Sequence, residues 1–273
     1  MEYVLETNAV TKRYRGFTAL SGLTMRIPKG AIYGFVGRNG AGKTTLIRII
    51  CGLQEPTNGS YTLYGVKNTE PQIIRSRRRM GAVVESPAIY PDMTARENIR
   101  QQYRVLGLPS DDGIDELLHL VGLGDTGKKK AKNFSLGMRQ RLGIAIALSG
   151  NPDFLVLDEP TNGLDPQGIA DIRALVQELN EQYGMTVIIS SHILGELQHT
   201  AHRFGIVNEG TVPRTITQED LLSEQKAVRI RVDDLERARA ALRAAGIPIL
   251  NEVQETRSLE DFYFGLVGGE ENA

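Results

Sequence analysis

The chain has 273 residues, room for one large domain or for one domain with a small appendage. Its 32 basic and 33 acidic side chains nearly cancel, which leaves no global field for gathering nucleic acid. One cysteine, Cys51, excludes an internal disulfide and fits a reducing compartment. In the apolar stretch Ile49-Ile50-Cys51-Gly52-Leu53 it reads as a small buried hydrophobe. The opening residues, Met1-Glu2-Tyr3-Val4-Leu5-Glu6, lack the basic and apolar regions of a secretory signal. No uninterrupted apolar run approaches the ~20 residues of a membrane-spanning helix. The expectation is a soluble, cytoplasmic chain that reaches a membrane only through another protein.

The first thirty residues read as two strands, with turns at Arg15-Gly16 and Pro28-Lys29-Gly30. Ala31-Ile32-Tyr33-Gly34-Phe35-Val36 is an apolar run of buried-strand type, and Thr45-Leu46-Ile47-Arg48-Ile49-Ile50 opens a helix. Beyond the turn Glu55-Pro56-Thr57-Asn58-Gly59, Ser60-Tyr61-Thr62-Leu63-Tyr64-Gly65 reads as a short strand. These β-rich pieces are expected to form a small antiparallel layer beside a parallel core. Ala82-Val83-Val84 is a brief strand ending at Glu85. A helical insertion is expected over residues 94–148, with breaks at Gly107-Leu108-Pro109 and Asp111-Asp112-Gly113. Its last helix, from about Leu136 to Leu148, is apolar on most faces and therefore expected to be buried. Two basic runs, Arg75, Arg77, Arg78, Arg79 and Lys128, Lys129, Lys130, Lys132, read as solvated faces or as contacts for anionic lipid headgroups.

Phe154-Leu155-Val156-Leu157 is a continuous apolar strand of parallel-sheet type. Ile169, Ile172, Leu175, Val176 and Leu179 make one helical stripe, and Thr186-Val187-Ile188-Ile189 and Phe204-Gly205-Ile206-Val207 are further buried strands. Strands alternating with helices predict an α/β fold around a parallel sheet. The composition shifts near Thr215, so residues 1–215 are assigned to the main domain and residues 216–273 to a small α/β appendage. In the appendage Ala227-Val228-Arg229-Ile230-Arg231-Val232 alternates like a strand. Leu235, Ala238, Leu242 and Ala245 are spaced like one helix face that Gly246 can end.

The chemistry starts at Gly37-Arg38-Asn39-Gly40-Ala41-Gly42-Lys43-Thr44, which fits the phosphate-loop pattern G-x-x-x-x-G-K-[ST] between a strand and a helix. The glycines allow backbone N–H groups to converge on one point, and the helix N-terminus adds partial positive charge there. Candidate nucleotide contacts are Gly37, Asn39, Gly40, Ala41, Gly42, Lys43, Thr44 and Thr45. Lys43 would reach the β- and γ-phosphates, and the Thr44 hydroxyl would ligate magnesium. The carboxylates Asp158 and Glu159 end the strand over residues 154–157, which is expected beside the loop's own strand. Asp158 would hold the magnesium, and Glu159 would orient a water in line with the γ-phosphate. A glutamate of ordinary pKa, about 4.3, is a weak base at neutral pH, so orientation is its main task.

Phe134-Ser135-Leu136-Gly137-Met138-Arg139-Gln140-Arg141 resembles the signature motif of ABC-type ATPases. Gly163-Leu164-Asp165-Pro166 resembles that family's D-loop, His192 its switch histidine and Tyr14 its adenine-stacking aromatic. The resemblance covers residues 3 to 215, with every motif in order. It implies a P-loop NTPase of the ABC type, ATP and Mg2+ as cofactors, and two chains dimerised head to tail around two ATP molecules. Ser135 and Gly137 would then meet the γ-phosphate held by the partner chain, and Asp165 would act across the interface. It also implies a separate integral membrane permease, and a peripheral place on the inner face of the membrane. The residues alone read more modestly: Ser135 and Asp165 are helix caps, with Pro166 in the first helical turn. His199 and His202 read as a solvated helix face.

Leu136 stands where the usual signature has its first glycine, and Glu85 where the commoner family has glutamine. Both departures resemble one branch, the ATPases of bacitracin- and lantibiotic-type resistance or immunity exporters, as does Ser258-Leu259-Glu260-Asp261-Phe262-Tyr263 near the C-terminus. Glu85 is accordingly a third candidate metal residue, linking magnesium to the groove that receives the membrane partner. Two other readings stay open: a soluble ABC ATPase acting on nucleic acid or ribosomes, against which the balanced charge and single cassette argue, and a small-molecule kinase using the same loop.

Overall fold

The computed structural model describes residues 2–198, 200–223, 232 and 234–247. In chain order the elements are β1 (Tyr3–Tyr14), β2 (Phe17–Pro28), β3 (Ile32–Val36), α1 (Lys43–Ile50), β4 (Asn58–Leu63), β5 (Val66–Lys67), α2 (Ile73–Arg77), β6 (Met80–Val83), α3 (Ala95–Leu106), α4 (Ile114–Leu120) and α5 (Leu136–Leu148). There follow β7 (Phe154–Leu157), α6 (Pro166–Tyr183), β8 (Thr186–Ser191), α7 (Leu194–Leu197), β9 (Arg203–Asn208), β10 (Thr211–Thr217), α8 (Gln218–Ser223) and α9 (Leu235–Ala244). They fall into two compact units, Met1–Ser223 and Glu224–Ala273.

The first unit holds two sheets. The antiparallel sheet has the order β2-β1-β4-β5, so the expected β-rich layer is present. The second sheet has the order β10-β9-β3-β8-β7-β6, and all its neighbours are parallel except β10 against β9. Every residue of β3, β7 and β8 is buried, the pattern of strands covered on both faces. Each fully buried Val, Leu, Ile or Phe side chain stabilises the fold by about 1.5–3 kcal/mol before entropy is counted.

One expectation about this sheet fails. The acid-bearing β7 does not lie beside β3, because β8 is inserted between them. Both sides of β3 are already paired, with β8 through Tyr33↔Ile188 and with β9 through Tyr33↔Arg203. The intervening strand brings its own polar end, Ser190 and Ser191, into the space between the loop and the acids.

The helical region follows its sequence signals closely. Thr94 and Glu97 close a capping box on α3, and Gly107, with φ 73°, ends it. Ser135 caps α5, whose Leu142, Ile144, Ala145 and Leu148 are buried. Asp165 accepts the Gly168 N–H at 2.8 Å to cap α6, with Pro166 at its first position and Gly184 beyond its end.

The first unit continues past the expected boundary at 215. Thr211–Thr217 forms the edge strand β10, and Thr217 and Asp220 exchange hydrogen bonds that start α8. Pro213 sits at the register shift between Thr211 and Arg214, a place a sheet edge tolerates for proline. In the second unit Asp234 caps α9 by accepting the Arg237 N–H at 3.0 Å, and Gly246, with φ 68°, follows it. The expected strand falls outside the described residues apart from Val232, as does the whole segment Ser258-Leu259-Glu260-Asp261-Phe262-Tyr263. His199 also lies outside them. His202 is not on a helix face: α7 ends at Leu197, and the His202 Nδ1 accepts the Ile32 N–H at 3.2 Å ahead of β9.

Candidate active site

The loop after β3 is built around glycines, two of which leave no room for a Cβ. A Cβ at Gly37 would lie 2.5 Å from the Val207 carbonyl oxygen, and one at Gly42 would lie 2.5 Å from that of Ala19. Gly42 also has φ 105°, which an L side chain resists. Arg38, Asn39, Gly40 and Ala41 fill the turn, closed by the Ala41 N–H on the Arg38 carbonyl at 3.1 Å. Lys43, only 4% exposed, folds back over the loop and donates to the carbonyls of Gly37 at 2.7 Å and Arg38 at 3.2 Å. Thr44 and Thr45, half-buried, follow in the first turn of α1.

Across from the loop, Glu159 sits just past β7 with φ 47°. Its N–H donates to Ser190 Oγ at 2.8 Å, and that hydroxyl donates to Asp158 Oδ1 at 2.7 Å. The Glu159 carboxylate bridges two segments: Oε1 lies 3.2 Å from Lys43 Nζ and Oε2 lies 3.0 Å from His192 Nδ1. Lys43, Glu159 and His192 therefore form one continuous chain of contacts, with Asp158 tied to it through Ser190. Asp158 is 1% exposed, and its Oδ2 is buried without a hydrogen-bond partner. A buried, unpaired carboxylate oxygen is costly unless a cation meets it, so these residues fit a divalent ion.

The remaining candidates lie around this cluster. Tyr14 stacks on Phe17 with ring centroids 5.2 Å apart, and its hydroxyl donates to Gln54 Oε1 at 2.5 Å. Ser135 Oγ accepts the Met138 N–H at 3.2 Å, and Gly137 follows in the first turn of α5. Leu136 is 43% exposed and lies against Gly163, so its side chain covers part of the D-loop of its own chain. Asp165 is exposed and engaged as the α6 cap. Glu85 is not drawn into the Lys43–Glu159–His192 chain; its carboxylate pairs with the Arg48 guanidinium on α1. Burial, aided by the nearby Asp158 charge, pushes the half-buried Cys51 thiol up to about 12, which makes it inert.

Sequence reasoning missed Ser190, Ser191 and Glu196. The available signal was a pair of hydroxyls closing an otherwise apolar strand.

A model of the ABC transporter family matches residues 20–162. The chain belongs to the ABC transporter family. It is 37% identical to the bacitracin transport ATP-binding protein BcrA of Bacillus licheniformis, over 98% of this chain and 99% of the relative. It is 42% identical to the lantibiotic transport ATP-binding protein SrtF of Streptococcus pyogenes, over 77% of this chain and 89% of the relative. Among solved structures it resembles the dimeric post-hydrolysis state of the ATP-binding cassette MJ0796 bound to ADP and Pi. That likeness has a TM-score of 0.70 and 26% identity, covering 78% of this chain and 98% of the cassette. The fold is thus that of an ABC ATPase cassette, and the chain is an ATP-binding, ATP-hydrolysing subunit of that family. Among the described residues no helix is long and apolar enough to cross a membrane.

Proposed function

We propose that this ABC subunit powers export of an amphiphilic peptide antibiotic or a similar compound through a separate membrane permease, holding it to the inner face of the membrane. Two relatives named for bacitracin and lantibiotic transport support the cargo class. The observation that carries the mechanism is the Lys43–Glu159–His192 chain of contacts at the mouth of the phosphate loop.

Loop N–H groups and the Lys43 ammonium hold the phosphates, and Tyr14 stacks on the adenine. Thr44 and Asp158 would hold magnesium, which when bound offsets charge on the phosphate oxygens. On triphosphate binding Lys43 exchanges its contact with Glu159 for one with phosphate, and the freed carboxylate orients the attacking water. His192, hydrogen-bonded to Glu159, presents its ring toward the γ-phosphate. Catalysis is then positional and electrostatic, as phosphoryl transfer demands. A second copy, or a related ATPase subunit, supplies Ser135 and the Gly137 N–H to the opposite face of the phosphate. Asp165 lines the same interface. Glu85, paired with Arg48, relays the state of the site toward the permease.

The test is Glu159→Gln. It should slow hydrolysis by about 100- to 1,000-fold while ATP binding persists. Light scattering should then show a dimer with ATP and a monomer without it. A monomer at saturating ATP would overturn the paired arrangement, and an undiminished rate would overturn the role of Glu159.

A further inference from the structure

Glu196 lies on the four-residue helix α7, is 8% exposed, and has no part in the chemistry above. Its Oε2 accepts two buried hydroxyls from different segments: Thr161 Oγ1 at 2.7 Å and Ser191 Oγ at 3.0 Å. Thr161 belongs to the turn that follows Glu159, a turn closed by the Asn162 N–H on the Glu159 carbonyl at 3.1 Å. Ser191 immediately precedes His192, and its hydroxyl also accepts the Ile193 N–H at 3.0 Å. One buried carboxylate oxygen is therefore shared by the two turns that carry Glu159 and His192. A cavity of about 120 Å3 opens beside them, lined by Glu159, Thr161, Ser191, His192 and Glu196 among others. Without the shared oxygen, the Thr161 hydroxyl loses its acceptor beside that gap and the Ser191 hydroxyl keeps only the Ile193 carbonyl of its own turn at 3.3 Å, so the link between the two turns that steadies the 3.0 Å contact of His192 with Glu159 is gone.

We infer that Glu196 is a positioning residue for ATP hydrolysis, a buried clamp that fixes the His192 turn against the Glu159 turn. The inference rests on the roles given above to Glu159 and His192.

The experiment measures kcat, KM for ATP, nucleotide stoichiometry and melting temperature for Glu196→Ala, Glu196→Gln and Thr161→Val. Single-turnover hydrolysis of labelled ATP repeats the measurement in a His192→Ala background. Glu196→Ala and Thr161→Val should lower kcat by about 10- to 100-fold, the scale set by small misplacements of catalytic groups. KM and stoichiometry should stay within about twofold. Glu196→Gln, whose amide oxygen still accepts both hydroxyls, should keep kcat within about threefold. In the His192→Ala background the same changes should cost less than about twofold more, because the clamp acts through that ring. Thr161→Val nearly keeps the side-chain volume and decides the matter if Glu196→Ala does not fold. Equal losses with and without His192 overturn the clamp, as does a loss that only follows the fraction able to bind ATP. A His192→Ala protein at full rate sinks the role of His192 and the clamp together. A slow His192→Ala beside a fast Thr161→Val sinks the clamp alone.

Discussion

The carboxyl ends of β3, β7 and β8 tie Lys43, Glu159 and His192 into one chain of contacts, with Asp158 fastened through Ser190. The N-terminus of α5 is arranged differently: the Ser135 hydroxyl accepts a bond from its own helix, and Leu136 beside it is 43% exposed. The first region is assembled by side chains that lie beyond the ends of three strands of one sheet, Lys43 at the start of α1, Glu159 after β7 and His192 after β8. The second presents a capped helix end outward, suited to an anion brought by another molecule. The contrast suits the proposed arrangement, in which one chain would carry a nearly complete phosphate site and a separate, unpaired half of a second one.

The largest effect that would break this contrast is expected at Lys43. Lys43→Ala should weaken ATP binding to the monomer by about 10- to 100-fold, the loss of one or more charge-assisted hydrogen bonds. Equilibrium titration with a fluorescent ATP analogue measures it, and unchanged affinity would remove the loop from the phosphate site. Ser135→Ala should leave that monomer affinity untouched yet lower steady-state hydrolysis by about tenfold, with about 1 kcal/mol of stability lost as the helix cap goes. A protein destabilised by that amount but hydrolysing at full rate would reduce Ser135 to a cap.

Smaller changes sharpen the picture. Glu85 and Arg48 are both substantially exposed, so their pair contributes at most about 1 kcal/mol. Glu85→Gln should therefore leave ATP binding and the melting temperature unchanged while altering the ATP hydrolysed per cargo exported in vesicles holding the permease. A variant identical on all three counts would leave Glu85 a solvated acid. The smallest effect belongs to Cys51. Its thiol, pushed up to about 12, should label with iodoacetamide at pH 8 far more slowly than the same cysteine in the unfolded chain. Labelling by mass spectrometry at matching rates in both states would show the helix end to be open.

Much of the site was legible because short-range patterns carry it. The phosphate loop needs its glycines where backbone meets backbone, and Gly37 and Gly42 are the two positions where a Cβ would strike a carbonyl. Ser135 and Asp165 announce helix starts by the chemistry of caps, and both are caps. The failures came where a residue's role depends on a distant partner. The composition shift near Thr215 cut across the edge strand β10, and His202 looked like part of a helix although it holds the Ile32 N–H at the start of β3. The insertion of β8 between β3 and β7 was not readable either, since three apolar strands carry no label for their order.

The family, the phosphate loop, the two acids and the caps can be read along the chain, because each is a pattern of neighbours governed by local sterics and hydrogen bonding. The strand order, the contact of Glu159 with both Lys43 and His192, and the sharing of one buried Glu196 oxygen by Thr161 and Ser191 emerge only once the chain is folded. Those arrangements join residues far apart in sequence, and they exist because buried polar groups must find partners wherever the packed sheet places them.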